Sequence, residues 1–544
     1  MTSPQPLTGL APPVRSIESV LASRWARMLI PSLSDLFFLA ILVWLFMSSG
    51  SAGWQGLLSD ADVGWHIRTG EYILDHHAVP RQDLYSFSKP GAPWFAWEWG
   101  TDVADAALHR AAGLKGVVLF AAVVLALFAT TLIRRMISRG THLFVAMVVA
   151  LLGVGSASIH FLARPHILTL LFLSVSVWMI ERDRRHPTRA IWWLVPLTVL
   201  WTNVHGGFLV LIAVLGLTAF GTAVEAYVGQ LGKLRAGCQP APDQLDGLST
   251  RPQVINLPHI RYSVLTLACA AGSLINPYGY HLHAHVVEYL RSDWIRNVIQ
   301  EFQSPSFRTE NMAQFEVLLL TGLMVACVLL QKRRIVEALW IVFFAHLALS
   351  GARHVPVYVA VVAPLIACEL SAWWTAATQG AKKSSLLGIV NDIAADSAAG
   401  FCRSSIWPAA VIVTLCFLRA PIPWPQDFPE LLFPVKMIRG HGGQILNRKV
   451  LTTDQWGDYL IYKNPQQKVF VDGRSDFYGP EIGNQYIHLV NGNGDWSSTL
   501  DRYKFDAVLL PTELAIVQIL KLQQDWLVEA DDGKTILFVR RPPN

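Results

Sequence analysis

A short acidic stretch follows the first long apolar run of the chain. Asp60 and Asp62 lie two residues apart in SDADVGWHIRTGEYILDHH (59–77), and His66 follows four residues later. Such a carboxylate pair can bind one Mg²⁺ or Mn²⁺, because hard divalent ions prefer oxygen ligands. One carboxylate can instead act as general base for an incoming hydroxyl group. The alternative without chemistry is that Asp60 or Asp62 caps an amphipathic helix.

Further polar residues lie in the same loop and in four short segments between later apolar runs. These segments are SIHFLARPHI (158–167), TNVHGG (202–207), LINPYGYHLHAH (274–285) and SGARHVP (350–356). Near a membrane, such groups are costly unless they face a polar cavity or one another. We predict one shared cavity, and simple interfacial placement is the alternative for each side chain alone. The candidate substrate-binding residues are His66, Arg68, Glu98, His160, Arg164, His166, Asn203, His205, Asn276, Arg353 and His354.

The composition indicates which elements must position these residues. Of the 544 residues, 52% are hydrophobic and 15% are charged, whereas soluble proteins contain roughly a quarter charged residues. The net charge is +5, and we find no basic tract typical of a nucleic-acid-binding surface. The six cysteines show no metal-ligand spacing. The chain is therefore predicted to be a membrane protein without a nucleic-acid partner.

Apolar runs predict about eleven membrane spans, since one span needs about 20 mainly apolar residues. The shortest and least apolar run is 190–203, which can also be a re-entrant piece. The predicted spans centre on 30–49, 116–133, 143–163, 166–181, 190–203, 207–228, 260–276, 315–331, 335–350, 355–375 and 404–419.

The basic residues predict the orientation of these spans. With eleven spans, clusters such as Arg134 and Arg135, 181–189 and Lys332–Arg334 all fall on the side of the N-terminus. Positive loop residues mark the cytoplasmic side. Residues 1–29 are thus predicted to be cytoplasmic, and the first loop (50–115) to lie outside.

The segment 420–544 is predicted to be a small extracytoplasmic α/β domain that follows the membrane domain (30–419). Strand-like runs occupy 449–453, 468–472 and 506–511, a helical pattern covers 512–523, and a hairpin turns at Asp531-Asp532-Gly533. Within VFVDGRSDFYG (469–479), the acidic and basic residues either stabilise a turn or contact substrate. Both interpretations stay open.

The order of these segments resembles the bacterial GT-C glycosyltransferases, which are integral-membrane enzymes that use polyprenyl-phosphate-linked sugars. More distant relatives are protein O-mannosyltransferases, aminoarabinose transferases of lipid A and oligosaccharyltransferase catalytic subunits. The motifs that carry the resemblance are DADVGWHIRTGEYILDHHAVPRQDLYSF (60–87), WFAWEWGTD (94–102), LINPYG (274–279), EFQSPSF (301–307), ARHVPVY (352–358) and VFVDGRSDFYG (469–479).

The resemblance implies a bacterial inner-membrane enzyme of the cell envelope that moves a sugar from a polyprenyl-phosphate donor to a glycan, lipid or protein acceptor. It also implies that Asp60 and Asp62 bind a divalent metal, Mg²⁺ or Mn²⁺, or act as base. For such chemistry, Arg164 and Arg353 can bind phosphate oxygens through paired N–H donors. No other cofactor is predicted.

Two other classes remain alternatives. A transporter should place ionisable groups near the bilayer midplane and often shows two related halves, and this chain shows neither pattern. A non-catalytic component of polysaccharide assembly or export would tolerate loss of Asp60 and Asp62. Mutagenesis therefore separates the last class from an enzyme.

The predicted topology can be tested with reporter fusions. A reporter fused after Asn544 should be extracytoplasmic, and one fused near Lys332 should be cytoplasmic, because the number of spans between them is odd. A cytoplasmic C-terminus would show that the count is wrong by one span, with 190–203 as the first run to re-examine.

Overall fold

α-Helices form most of the chain in a computed structural model, which describes residues 28–47, 53–235, 257–309, 311–417 and 424–541. The predicted class, a helical multi-pass membrane protein with a small C-terminal sheet, is confirmed. The first helices are α1 (Leu33–Met47), α2 (Trp54–Leu57), α3 (Asp62–His76), α4 (Trp99–Ala112), α5 (Leu114–Ile137), α6 (Leu143–Ala157), α7 (His166–Arg185), α8 (Leu194–Thr202) and α9 (Phe208–Arg235).

The helical region continues to residue 417, and its described parts include four short 3₁₀ turns. The turns are Ser158–His160, Arg189–Trp193, Gln300–Phe302 and Ala352–His354. The remaining helices of this region are α10 (Pro258–Gly272), α11 (Tyr280–Arg291), α12 (Asp293–Val298), α13 (Met312–Gln331), α14 (Ile335–Ser350), α15 (Val355–Ala377), α16 (Leu386–Phe401) and α17 (Trp407–Phe417).

Within the described residues, five helices are long and apolar enough to cross a membrane. They are Leu114–Ile137, Leu143–His160, Phe208–Gly229, Met312–Gln331 and Ala352–Ala377, and three shorter apolar helices are Leu33–Phe46, Ile335–Ser350 and Trp407–Phe417. The count of eleven spans stays a prediction. In the run 190–203, α8 has nine residues and is only about 14 Å long, whereas the hydrocarbon core is about 30 Å thick.

The C-terminal part is built around a four-stranded sheet in the order β1-β2-β4-β3. β1 and β2 pair in parallel, and the other pairs are antiparallel. β2 is an apolar, largely buried strand, as expected for a strand with both faces covered. The elements of this part are α18 (Val435–Ile445), β1 (Val450–Leu451), α19 (Asp454–Lys463), α20 (Ser475–Val490), α21 (Trp496–Tyr503), β2 (Ala507–Pro511), α22 (Ala515–Leu520), β3 (Trp526–Asp531) and β4 (Thr535–Arg540).

The predicted strand at 468–472 does not join this sheet as a named strand. Val469 forms one isolated parallel bridge with Val450 of β1 and another with Ser86 of the first loop. Toward the first loop, its N–H donates to Tyr85 C=O at 2.9 Å, and its C=O accepts the Phe87 N–H at 2.9 Å. The segment thus connects β1 with a part of the chain about 380 residues earlier. This pairing, together with packing of α19 on α3, docks the C-terminal domain on the first loop.

A buried arginine supports α15, the long helix that begins directly after Arg353 and His354 of the predicted site. Pro364 lies inside α15, so Ala360 C=O has no helical N–H four residues later. Arg135 Nη1 donates to that carbonyl at 2.7 Å, and the same guanidinium forms an ion pair with Glu181 at 2.7 Å. Arg135 therefore replaces the hydrogen bond that proline removes and fixes the course of α15.

Arg135→Met should lower the free energy of unfolding by about 1–3 kcal/mol, because it leaves Ala360 C=O without its buried partner, while Glu181 keeps its ion pair with Arg139 at 2.8 Å. Adding Pro364→Ala should recover part of this loss, since the new N–H can donate to Ala360 C=O. Thermal unfolding in detergent measures both effects. The control is the neighbouring Arg134, which is half-buried and bonds to Ser404 and the Cys402 carbonyl but to no carboxylate. Strictly additive effects of the two substitutions would contradict the assignment.

Candidate functional site

The acidic pair of the first loop is bridged by an arginine. Arg164 Nη1 donates to Asp60 Oδ2 at 2.7 Å, and Arg164 Nη2 lies 2.6 Å from Asp62 Oδ2. Asp60 Oδ1 accepts the N–H of Asp62, the first residue of α3, at 2.9 Å. One oxygen of Asp60 thus has the predicted helix-capping role, and the pair as a whole faces a cation.

The remaining oxygen of Asp62 points to the C-terminal domain. Asp62 Oδ1 is buried and has no hydrogen-bond partner among the described residues. A Cβ at Gly473 would lie 1.9 Å from this oxygen and 3.1 Å from Asp458 Oδ2, so only glycine permits this close approach. Burial raises the pKa of Asp62 against the opposing effect of Arg164, and burial together with Asp62 raises the pKa of Asp458.

The carboxyl group of Glu98 lies between two histidines, His66 and His205. His66 Nδ1 lies 2.6 Å from Asp102 Oδ1, and His66 Nε2 lies 3.6 Å from Glu98 Oε2. The close contact of α3 with α4 depends on Gly70, where a Cβ would lie 1.8 Å from Asp102 C=O. Burial lowers the pKa of His66 well below its ordinary value, so the imidazole is neutral.

The second histidine has a defined tautomer. His205 Nδ1 accepts the Gly207 N–H at 2.9 Å, so the proton of the neutral ring is on Nε2. Nε2 lies 3.4 Å from Glu98 Oε1. Burial raises the pKa of Glu98 to about 8 and lowers that of His205 to about 3. Glu98 therefore holds a proton near neutral pH, a state suited to donating a hydrogen bond.

The second arginine of the predicted site is Arg353. Arg353 Nη1 is 3.3 Å from Glu301 Oε1 and 3.4 Å from Tyr289 Oη, and its guanidinium lies over the Phe302 ring. His160 Nε2 is 3.5 Å from Glu301 Oε2. Burial alone would raise the pKa of Glu301, but Arg353 and Arg164 lower it to about 2. Unlike Arg164, Arg353 has only long polar contacts and can bind an anion.

Two cavities meet at these charged groups. The inner cavity of about 190 Å³ is lined largely by apolar and aromatic side chains such as Trp97, Leu209 and Val357. The outer cavity of about 910 Å³ is lined by polar residues such as Gln300, Ser304 and Gln455. The residues that line both cavities are Asp62, His160, Arg164, Tyr289, Glu301, Arg353, Gly473 and Ser475.

Most of the predicted site residues lie together around these cavities, and His66 lies directly behind Glu98. His166 Nε2 bonds to the His160 carbonyl at 2.7 Å. The predicted residues that line one or both cavities are Asp60, Asp62, Glu98, His160, Arg164, His166, His205, Arg353 and His354.

Three predicted residues lie elsewhere. Arg68 donates from Nε to Tyr462 C=O at 2.9 Å and pairs with Glu71. Asn203 bonds to two backbone carbonyls and to the Trp99 indole. The Asn276 amide closes its own turn by donating to Ser273 and Gly279 carbonyls. These side chains support the fold around the site.

In the VFVDGRSDFYG segment, the turn-stabilising interpretation is confirmed for one pair, and substrate contact stays a prediction. Arg474 is buried and forms ion pairs with Asp472 at 2.6 Å and with Asp83 at 2.9 Å, so this Asp–Arg pair stabilises the turn. Asp476 lies 3.0 Å from His285 and lines the inner cavity.

Several residues of the site were not predicted. Glu301 lies in the EFQSPSF motif, which was noted only for its resemblance, and Tyr289 and Asp458 lie on helices without a local signal. The sequence pattern that could have indicated Glu301 is an acidic residue in the segment before the predicted span 315–331.

The acidic pair does not fit a divalent ion as it is arranged. Both oxygens of Asp60 already accept N–H groups, and Asp62 Oδ2 forms an ion pair with Arg164 Nη2. A guanidinium offers no lone pair to a metal. Among the described residues, no group of three or more His, Cys, Asp or Glu is placed to hold a metal ion. Metal binding at Asp60 and Asp62 stays a prediction of the sequence.

Glu98→Gln should change the dependence of stability on pH. A folded pKa of about 8, above the ordinary value near 4.3, means that the unfolded chain loses its proton first. Wild-type stability should fall relative to Glu98→Gln as pH rises from about 5 to 8. The measurement is the difference in unfolding midpoint between the two proteins from pH 5 to 9. Parallel curves would contradict a buried, protonated Glu98.

The fold is shared with a characterised enzyme, although no family model and no curated protein sequence matches the chain. The crystal structure of the Archaeoglobus fulgidus oligosaccharyltransferase tethered to an acceptor peptide aligns with a TM-score of 0.52 at 12% identity, covering 88% of this chain and 68% of that chain. The archaeal oligosaccharyltransferase AglB from the same organism, in complex with an inhibitory peptide and a dolichol-phosphate, aligns with a TM-score of 0.51 at 11% identity, covering 92% and 73%. The suspected GT-C fold is thereby confirmed.

Proposed function

We propose that this chain is a membrane glycosyltransferase that transfers a sugar or glycan from a polyprenyl-phosphate donor to an acceptor hydroxyl or amide outside the cytoplasm. The observation that carries the proposal is that two cavities meet at Asp62, Arg164, Glu301 and Arg353: the inner one has aromatic and aliphatic side chains beside its charged groups, and the outer one adds uncharged polar side chains such as Gln300 and Ser304. A lipid-linked donor and a polar acceptor need such a pair of approaches. The shared fold supports the reaction class but does not establish activity by itself.

The donor is proposed to occupy the inner cavity. Its apolar wall suits the first prenyl units, and Arg353 lies at the junction with N–H groups that can bind phosphate oxygens. The relative bound to a dolichol-phosphate supports a lipid phosphate as the ligand class. Protonated Glu98, flanked by His66 and His205, can donate a hydrogen bond to a sugar oxygen in the same cavity.

The acceptor is proposed to enter from the outer cavity. Asp62 Oδ1, which has no other partner among the described residues, accepts the acceptor proton as the acceptor atom forms a bond to the sugar anomeric carbon. The bond from that carbon to the phosphate oxygen breaks, and the lipid phosphate leaves with the electron pair. Arg353 stabilises the negative charge on this phosphate in a site that excludes much of the water.

The direct test is a transfer assay with purified protein, a panel of prenyl-phosphate sugars and candidate acceptors, with and without divalent metal. Product linked to an acceptor establishes the class. A transporter or a non-catalytic component would bind or move substrate without forming this bond.

Asp62→Asn should lower transfer by roughly 10²–10⁴-fold at unchanged expression, the usual contribution of a general base. Asn keeps the size of the side chain and can still accept the Arg164 N–H. Arg353→Ala should weaken donor binding or phosphate departure. The matched control is Glu71→Gln, because Glu71 pairs with Arg68 away from both cavities. Full activity in both Asp60→Asn and Asp62→Asn would refute a catalytic role for the acidic pair.

A further inference from the structure

Two of the carboxylate oxygens that a metal would need at the acidic pair are already in contact with Arg164. The two terminal nitrogens of its guanidinium contact one oxygen from each aspartate, at 2.7 and 2.6 Å. The guanidinium thus bridges two carboxylates with one terminal nitrogen at each, and does not bind both oxygens of a single carboxylate. A bridging cation is therefore present, and it is part of the chain.

The count of free oxygens argues against a second cation at this place. Asp60 Oδ1 accepts the backbone N–H of Asp62, and Arg164 occupies Asp60 Oδ2 and Asp62 Oδ2. Only Asp62 Oδ1 remains free among the described contacts. Mg²⁺ requires near-octahedral oxygen coordination and usually takes one or two carboxylates, and a nearby guanidinium would repel it.

The backbone holds Arg164 in this position. The N–H of the preceding Ala163 donates to Leu57 C=O at 2.8 Å, which ties the segment to the start of the first loop. Pro165 follows and is the residue before α7, so its fixed φ limits movement of the arginine backbone. Release of Asp60 and Asp62 would require the side chain to leave both carboxylates at once.

We propose that Arg164 is the resident cation of the acidic site and takes the place of a divalent metal, so that transfer needs no metal ion. The statement that transfer needs no metal rests on the proposed function. The statement that the acidic pair binds no metal does not depend on it. Arg164 orients Asp62 through Oδ2 and leaves Oδ1 as the proton acceptor.

Binding of Mn²⁺ to the purified full chain in detergent, measured by electron paramagnetic resonance after treatment with a chelator, tests the proposal. The wild type should bind no Mn²⁺ that depends on Asp60 or Asp62, and Mn²⁺ should not raise its unfolding midpoint. Arg164→Ala frees two carboxylates and should gain Mn²⁺ binding, with a concentration-dependent rise of the midpoint. This gain should disappear when Asp62→Asn is added.

The matched control is Arg353→Ala, which removes an arginine from the same cavities without freeing the acidic pair and should gain no Mn²⁺ binding. If Arg164→Ala does not fold, Arg164→Lys keeps one charge but cannot bridge both carboxylates through a planar fork, and its Mn²⁺ binding is measured instead. Stoichiometric Mn²⁺ binding by the wild type that Asp60→Asn abolishes would overturn the proposal, as would variants that gain none.

Transfer assays separate this inference from the proposed function. Transfer that persists in chelator supports both, whereas transfer that chelator abolishes and Mn²⁺ restores refutes the inference and supports the enzyme. If no donor is used by the wild type, the Mn²⁺ measurements still decide the role of Arg164.

Discussion

Charges buried at the outer edge of the membrane domain must be paired, and this constraint determines how the parts of the chain come together. Arg164, from the turn before α7, contacts two aspartates at the start of α3. One of them, Asp62, also borders Gly473 and Asp458 of the C-terminal domain. Because an unpaired charge there would cost several kcal/mol, the membrane turn, the first loop and the C-terminal domain hold one another in position through these contacts.

The site contains more carboxyl groups than guanidinium groups, and this excess explains why some of the carboxyl groups hold protons. The carboxyl groups that line the two cavities are those of Asp60, Asp62, Glu98, Glu301, Asp454, Asp472 and Asp476, and Asp458 lies next to Asp62. Arg164 contacts Asp60 and Asp62, Arg353 contacts Glu301, and Arg474 contacts Asp472. Among the described residues, Glu98 and Asp458 have no arginine in ion-pair contact, and burial raises the pKa of both. Burial also raises the pKa of Asp62 despite its contact with Arg164, so the site approaches neutrality by holding protons as well as by pairing with arginines.

The sequence was sufficient to predict site residues whose charge is costly because of their immediate neighbours in the chain. A charge at the end of an apolar run is expensive wherever the run packs, so Arg164, His166, His205 and Arg353 were predicted to meet. Arg68 was misplaced because residues two apart on α3 differ by about 200° around the helix axis: His66 faces Asp102 and Arg68 faces Tyr462.

Residues that gain their role from distant partners could not be predicted in this way. Asp458 interacts with Asp62 across almost 400 residues, and the segment around Val469, predicted as a strand, bridges both β1 and the first loop through single residue pairs. Both cases depend on the docking of the C-terminal domain on the first loop. Since Gly473 brings that domain against Asp62 Oδ1, the domain forms one wall of the site, and its position relative to the membrane helices determines how a buried carboxylate reaches the junction of the two cavities.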